Sequence, residues 1–184
     1  MKTLVVILML VSFSFGSYAQ RITELEETRV AFSPISFTET NNPDEYRYKV
    51  NDGFAVEFTK NPMAFMESYF DISKFIEEVK DKDYNSYLVT FSTDKGFLEA
   101  RYSKEGELER TRQIFKNIAL PLAVRNELWR QTKGWRMVKN NYIAKGKGRI
   151  LDKELYRIKV VGDNKSKIIK IDPKNINEER VAGM

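Results

Sequence analysis

The sequence predicts an α+β fold: tandem units in which one amphipathic helix covers an antiparallel sheet, preceded by an N-terminal strand region. Three observations predict it. Apolar residues recur at helical spacing in two segments, each opening on a proline. Around these lie short runs in which apolar and polar residues alternate with a period of two, separated by turns carrying Gly, Asp or Asn. The order helix-strand-strand-strand then occurs twice.

Residues 1–19 read as a signal peptide. Lys2 supplies the charge, residues 4–15 (LVVILMLVSFSF) the apolar stretch, and Ser17-Tyr18-Ala19 a small-x-small cleavage site. The stretch is shorter than the roughly 20 residues a spanning helix needs. The mature chain from Gln20 is therefore expected to be exported, periplasmic or secreted, with no stable membrane anchor after cleavage.

Residues 20–60 form the strand and hairpin region. Residues 27–38 read as a strand with Pro34 as kink or edge marker. Asn41 to Asp44 is a turn cluster. Residues 46–50 (YRYKV) and the alternating Phe54, Val56 and Phe58 flank an Asp52-Gly53 turn signal, the pattern of a hairpin.

The first unit spans 61–116. Asn61 is the expected N-cap and Pro62 occupies N1. Phe65, Tyr69, Ile72, Ile76 and Val79 line one helical face, with a break expected at Asp71-Ile72-Ser73. Strands follow with Tyr87, Val89 and Phe91, then Leu98, Ala100 and Tyr102, then 108–115, joined by turns at 94–96 and 104–107. Such short turns require antiparallel pairing.

The second unit spans 117–173. Its helix opens at Leu120-Pro121, with Pro121 at N1, Val124, Leu128 and Thr132 on one face, and Lys133-Gly134 as the stop. Strands are expected at 135–144, 154–161 and 167–171, the last two joined by Gly162-Asp163-Asn164. Residues 174–184 read as a flexible tail.

Composition removes whole branches of chemistry. The chain has 184 residues, no Cys and no His. It therefore has no disulfide, thiol nucleophile, lipid-anchor cysteine, imidazole ligand or Ser-His-Asp triad. The net charge of +5 is divided unevenly. Residues 21–96 carry 9 Lys+Arg against 15 Asp+Glu, and residues 97–184 carry 21 against 11. Mutual attraction of the two halves accounts for such a split, and a positive far field favours anionic partners.

The segment 87–172 resembles the small secreted PepSY-like proteins of Bacteroidetes-type bacteria, which are similar in fold to β-lactamase inhibitory protein. The residues that carry this are YLVTF (87–91), the A-R-Y strand (100–102), the K-E-G-E-L turn (104–108), F-K-N-I-A-L-P (115–121), G-W (134–135), the strand with Tyr142, and L-Y-R-I-K (155–159). The resemblance implies an envelope protein with a binding or inhibitory role rather than a shared enzymatic site. These are turn and core residues, so no contact residue is carried over.

The residues themselves offer few catalytic arrangements. Glu77, Glu78, Asp81 and Asp83 cluster at a helix end with lysines between them. A glycosidase needs two acids facing across a cleft, and a calcium loop needs a Gly and a distal Glu that are absent here. No enzyme activity, cofactor or resident metal is expected, although Asn41 to Glu45 offers oxygen atoms for a weak calcium ion.

The binding candidates are basic. If Tyr156, Ile158 and Val160 point inward, Arg157 and Lys159 point outward. Lys170 joins them if Ile169 and Ile171 point inward, and Arg101 stands beside Glu99 on another strand. Lys145, Lys147 and Arg149 surround a Gly146-Lys147-Gly148-Arg149 loop whose amides suit an anion. Outward aromatics for base stacking are lacking apart from Phe97, which with export argues against nucleic acid. The expected function is non-catalytic binding, regulation or inhibition of another envelope protein. An electrostatic binder of anionic glycan or lipopolysaccharide phosphates is the alternative, and a carboxylate-dependent glycan hydrolase a remote one. Trp129 and Trp135 flank the end of the second helix, and either would serve as an interface anchor if exposed.

Overall fold

The computed structural model describes residues 33–38, 40, 44–79, 82 and 84–176. The expected signal peptide and residues 27–32 of the first expected strand lie outside them, as do Asn41 to Pro43, Asp81, Asp83 and residues 177–184.

Eight strands form one sheet whose spatial order follows the chain. They are β1 (Ile35–Thr38), β2 (Glu45–Val50), β3 (Ser86–Thr93), β4 (Gly96–Ser103), β5 (Leu108–Lys116), β6 (Arg136–Lys147), β7 (Ile150–Gly162) and β8 (Lys165–Ile171). A 3-10 turn (Asp52–Phe54) and helices α1 (Ala55–Lys60), α2 (Pro62–Tyr69) and α3 (Ile72–Val79) lie between β2 and β3. Helix α4 (Leu122–Thr132) lies between β5 and β6. The fold is α+β with a largely antiparallel sheet. Strands β2 and β3 are the parallel pair, and α1 to α3 supply the crossover that a parallel connection requires.

The N-terminal strands belong to the same sheet as the rest, and β5 pairs directly with β6. The strands on either side of α4 therefore merge into one surface.

The stretch 54–58 is helical, not the second arm of a hairpin. The alternation of Phe54, Val56 and Phe58 concealed an i, i+4 pair. Phe54 and Phe58 both meet the Phe65 ring, at 6.5 and 5.2 Å between centroids, while Val56 is 75 % exposed. A strand would have placed all three on one side; the helical turn brings Phe54 and Phe58 to the core and releases Val56.

Asn61 caps α2 by accepting from the Ala64 amide at 3.3 Å, with Pro62 in the first turn. The break at Asp71 is real. Phe70 is extended, and Asp71 Oδ1 accepts from the Ser73 and Lys74 amides at 3.1 and 3.2 Å, starting α3 afresh. These amide bonds, with Lys74 nearby, hold the Asp71 carboxyl below its usual range. Pro121 is the N-cap of α4 rather than its first helical residue, and Lys133 ends the helix in the left-handed conformation at φ 46°.

The last hairpins extend further than periodicity indicates. Gly146 and Lys147 lie inside β6, where the ladder shifts register between Lys145 and Gly146. A Cβ on Gly146 would stand 2.4 Å from the Ile150 carbonyl oxygen, so the close approach there requires glycine. The expected 146–149 loop is thus a two-residue turn, Gly148-Arg149, and the Gly148 amide donates to Glu109 O at 3.0 Å. Asp163 and Asn164 turn β7 into β8 with φ of 50° and 58°, the primed turn that matches strand twist. The expected tail from residue 174 opens on regular structure. Residues 173–176 are helical, and Lys174 Nζ donates to the Leu151 and Asp152 carbonyls at 2.7 and 3.0 Å.

The core lies between the helices and one sheet face. Phe70 meets Phe91, Phe75 meets Tyr87, and Phe58 meets Phe115. Val124 and Leu128 of α4 join the same cluster as Ile169 and Ile171 of β8. Among the described residues no helix is long and apolar enough to cross a membrane.

Candidate functional site

The face opposite the helices is built by the period of two. Covered residues form cross-strand rows such as Phe115, Tyr142, Tyr156 and Ile171. One step along each strand, Lys116, Asn141, Arg157 and Lys170 form a row on the open face. Neighbouring members of a row stand about 4.8 Å apart between strands.

The open-face rows have an order. Arg101, Arg110 and Lys147 form one, and Glu99, Arg112, Lys145 and Lys153 the next. Then comes an apolar row, Phe97, Ile114, Ile143 and Leu155, all half-buried. Beyond it lie the Lys116-to-Lys170 row and then Lys139, Lys159 and Ile168. An apolar stripe is therefore flanked on both sides by cations.

Specific contacts hold part of this face. Arg112 Nη1 meets Glu99 Oε2 at 3.1 Å, and its guanidinium lies 5.5 Å from the Phe97 ring centre. Arg101 donates to the Ser86 hydroxyl at 3.2 Å. A depression of about 320 Å³ opens between Leu88, Glu99, Arg101, Arg110, Arg112 and Lys145. Its balance is cationic: four basic groups surround one carboxylate. Such a patch attracts anions without demanding a particular one.

Six of the seven basic candidates read from the sequence share this face: Arg101, Lys145, Lys147, Arg157, Lys159 and Lys170. Arg149 does not. It sits at the hairpin tip and pairs with Glu67 of α2 at 2.8 Å, on the helix side. The anion-cradling loop also fails, because its residues are strand and tight turn. Sequence reasoning missed Arg110, Arg112, Lys153, Lys139 and Lys116. The signal was present in LERTRQIFK (108–116): once Phe115 and Gln113 face inward, Arg112 and Arg110 alternate outward.

The remaining candidates are dispersed. Glu77 and Glu78 are exposed on α3, and Asp81 and Asp83 lie outside the described residues. Among the described residues no three carboxylates converge as metal ligands. Trp129 is 68 % exposed on α4, whereas Trp135 packs on Gly162, where a Cβ would come within 2.6 Å of the ring. Attraction between the acidic and basic halves is represented by Arg149–Glu67, while Arg47–Glu45 and Arg112–Glu99 each stay within one half.

No protein-family model, curated protein or solved structure matches the chain.

Proposed function

We propose that the chain is an exported, non-catalytic binding module of the bacterial envelope, with PepSY-like tandem units, whose open sheet face docks an acidic surface of another envelope protein and thereby regulates or inhibits it. The observation that carries this reading is the apolar row between cationic rows. Protein interfaces join an apolar centre to a polar rim, and a centre of Phe97, Ile114, Ile143 and Leu155 suits such a partner. The cations supply steering and orientation.

A second reading is supported by the excess of positive charge itself. A linear anionic glycan or lipopolysaccharide phosphates would satisfy the cationic rows without using the apolar one. Salt separates the two, since screening weakens exposed charge contacts far more than apolar contacts.

The test is capture from an envelope extract with the mature chain from Gln20 as bait, washed in rising salt. The expected result is a discrete protein retained at high salt and lost with the double reversal Arg157→Glu and Lys159→Glu. Capture unchanged by both reversals overturns the face assignment. Recovery of anionic polymer alone, released at modest salt, replaces the protein partner with the polyanion.

A further inference from the structure

Helix α4 buries one side and leaves a second apolar flank uncovered. Val124, Leu128 and Thr132 are its buried stripe. At roughly 100° per residue, Leu122, Arg125, Trp129 and Lys133 share another flank, turned about 100° from that stripe. Leu122 is 62 % exposed and Trp129 68 %.

The apolar surface continues into the next element. Met137 and Val138, at the start of β6, are exposed as well. The cause is the length of β5. It ends at Lys116, opposite Asn141, so residues 136–139 of β6 have β7 on one edge and no β5 residue on the other. Met137 partners the buried Val160, which puts it on the helix side of the sheet with α4.

Charge at this surface has one sign. Arg125 and Lys133 lie on the flank itself, and Arg136 adjoins Met137; all three are exposed. Glu127 is the one carboxylate within residues 122–139. It stands two residues from Trp129, about 200° around the helix, where Arg130 and Gln131 donate to it at 2.7 and 2.6 Å. The flank is therefore an apolar ridge with cations along it and no carboxylate.

We propose that this flank attaches the protein reversibly to an anionic lipid bilayer. The helix lies in the interface plane. Leu122, Trp129 and Met137 enter the boundary between headgroups and acyl chains, and Arg125, Lys133 and Arg136 meet lipid phosphates. Two features favour a bilayer. Tryptophan, with an apolar ring and one polar N–H, suits the headgroup level. A convex ridge needs no shaped partner there, only apolar depth below a layer of negative charge. The site lies on the helix side of the sheet and does not depend on the basic open face.

Co-sedimentation with vesicles tests this, together with tryptophan emission. The chain from Gln20 is used, so that the apolar residues 4–15 play no part. Vesicles are phosphatidylcholine alone or phosphatidylcholine mixed with phosphatidylglycerol. Binding is expected only to the mixed vesicles, with a blue shift as Trp129 leaves water. Leu122→Ser with Trp129→Ser should weaken binding about tenfold or more and abolish the shift. Arg125→Glu with Lys133→Glu should also weaken it about tenfold or more. These positions are exposed, so each variant should melt close to the unaltered chain. Arg157→Glu with Lys159→Glu should weaken binding less than about 3-fold and keep the shift. Absence of binding to the mixed vesicles, equal binding to both kinds, or binding with unshifted emission overturns the proposal. So does a greater loss from the open-face reversal than from the α4 reversal. Vesicle binding unchanged by the serine pair, with capture of a protein from envelope extract lost in it, would overturn the proposal and assign the flank to a protein.

Discussion

The two faces of this sheet are made from the same strands, one residue apart, and have opposite chemistry. On the covered face, Tyr142 partners Tyr156 and Phe115 partners Tyr142. On the open face, Asn141 partners Arg157 and Arg157 partners Lys170. The strand tyrosines Tyr46, Tyr48, Tyr87, Tyr102, Tyr142 and Tyr156 all lie on the covered side. Arg101, Arg110, Arg112, Lys145, Arg157 and Lys170 lie on the other. The covered face is held by burial and ring packing, whose cost when broken is high. The open face gathers like charges that contribute little to folding.

The largest effect that tests this division is truncation of a covered ring. Phe115 is fully buried and its ring lies 5.5 Å from that of Phe58. Phe115→Ala should cost about 3–5 kcal/mol in urea unfolding. The open-face reversal Arg157→Glu with Lys159→Glu should change stability by less than about 1 kcal/mol. A reversal as costly as the truncation would break the comparison.

Alkaline titration sharpens it. Burial pushes the Tyr102, Tyr156 and Tyr48 hydroxyls from 10.0 up to about 12, with nearby carboxylates adding to the shift. The fold thus favours the protonated phenols. The stability they contribute is complete below pH 10 and is lost as pH rises through about 12. Circular dichroism followed together with phenolate absorbance should show unfolding and ionisation in that one window. Ionisation of all three near pH 10 without unfolding would show that the covered face is wet.

The smallest effect concerns the one candidate that left the basic face. The Arg149 and Glu67 side chains are 79 % and 41 % exposed. Glu67→Gln should cost about 0–1 kcal/mol, and the difference should vanish in high salt. A larger, salt-independent loss would make this pair a structural clasp between the hairpin tip and α2.

Much of the fold was legible because it depends on local periodicity. Tyr87, Val89 and Phe91 alternate in the sequence and are buried together in β3. Asn61 and Pro62 announce α2, and Asp163-Asn164 announces a tight turn. The basic face was legible only in part. Arg157, Lys159 and Lys170 followed from inward neighbours that were plain to read, but Arg110 and Arg112 required a face for a strand whose inward residues include Thr111 and Gln113. Polar residues facing a core blur the alternation. The helical identity of 54–58 was hidden because Phe54, Val56 and Phe58 satisfy a period of two as well as the i, i+4 relation that the structure uses.

The sequence by itself determined the periods of most elements, the excess of cations after residue 97 and the absence of thiol and imidazole chemistry. These are properties of residue type and short spacing, and no distant contact alters them. The tertiary structure decided that all eight strands share one sheet, that β2 runs parallel to β3, and that cations from β4 to β8 stand on one surface. Each of these joins residues far apart in the chain, and such pairings form only when the surface they bury outweighs the entropy of closing the loops between them.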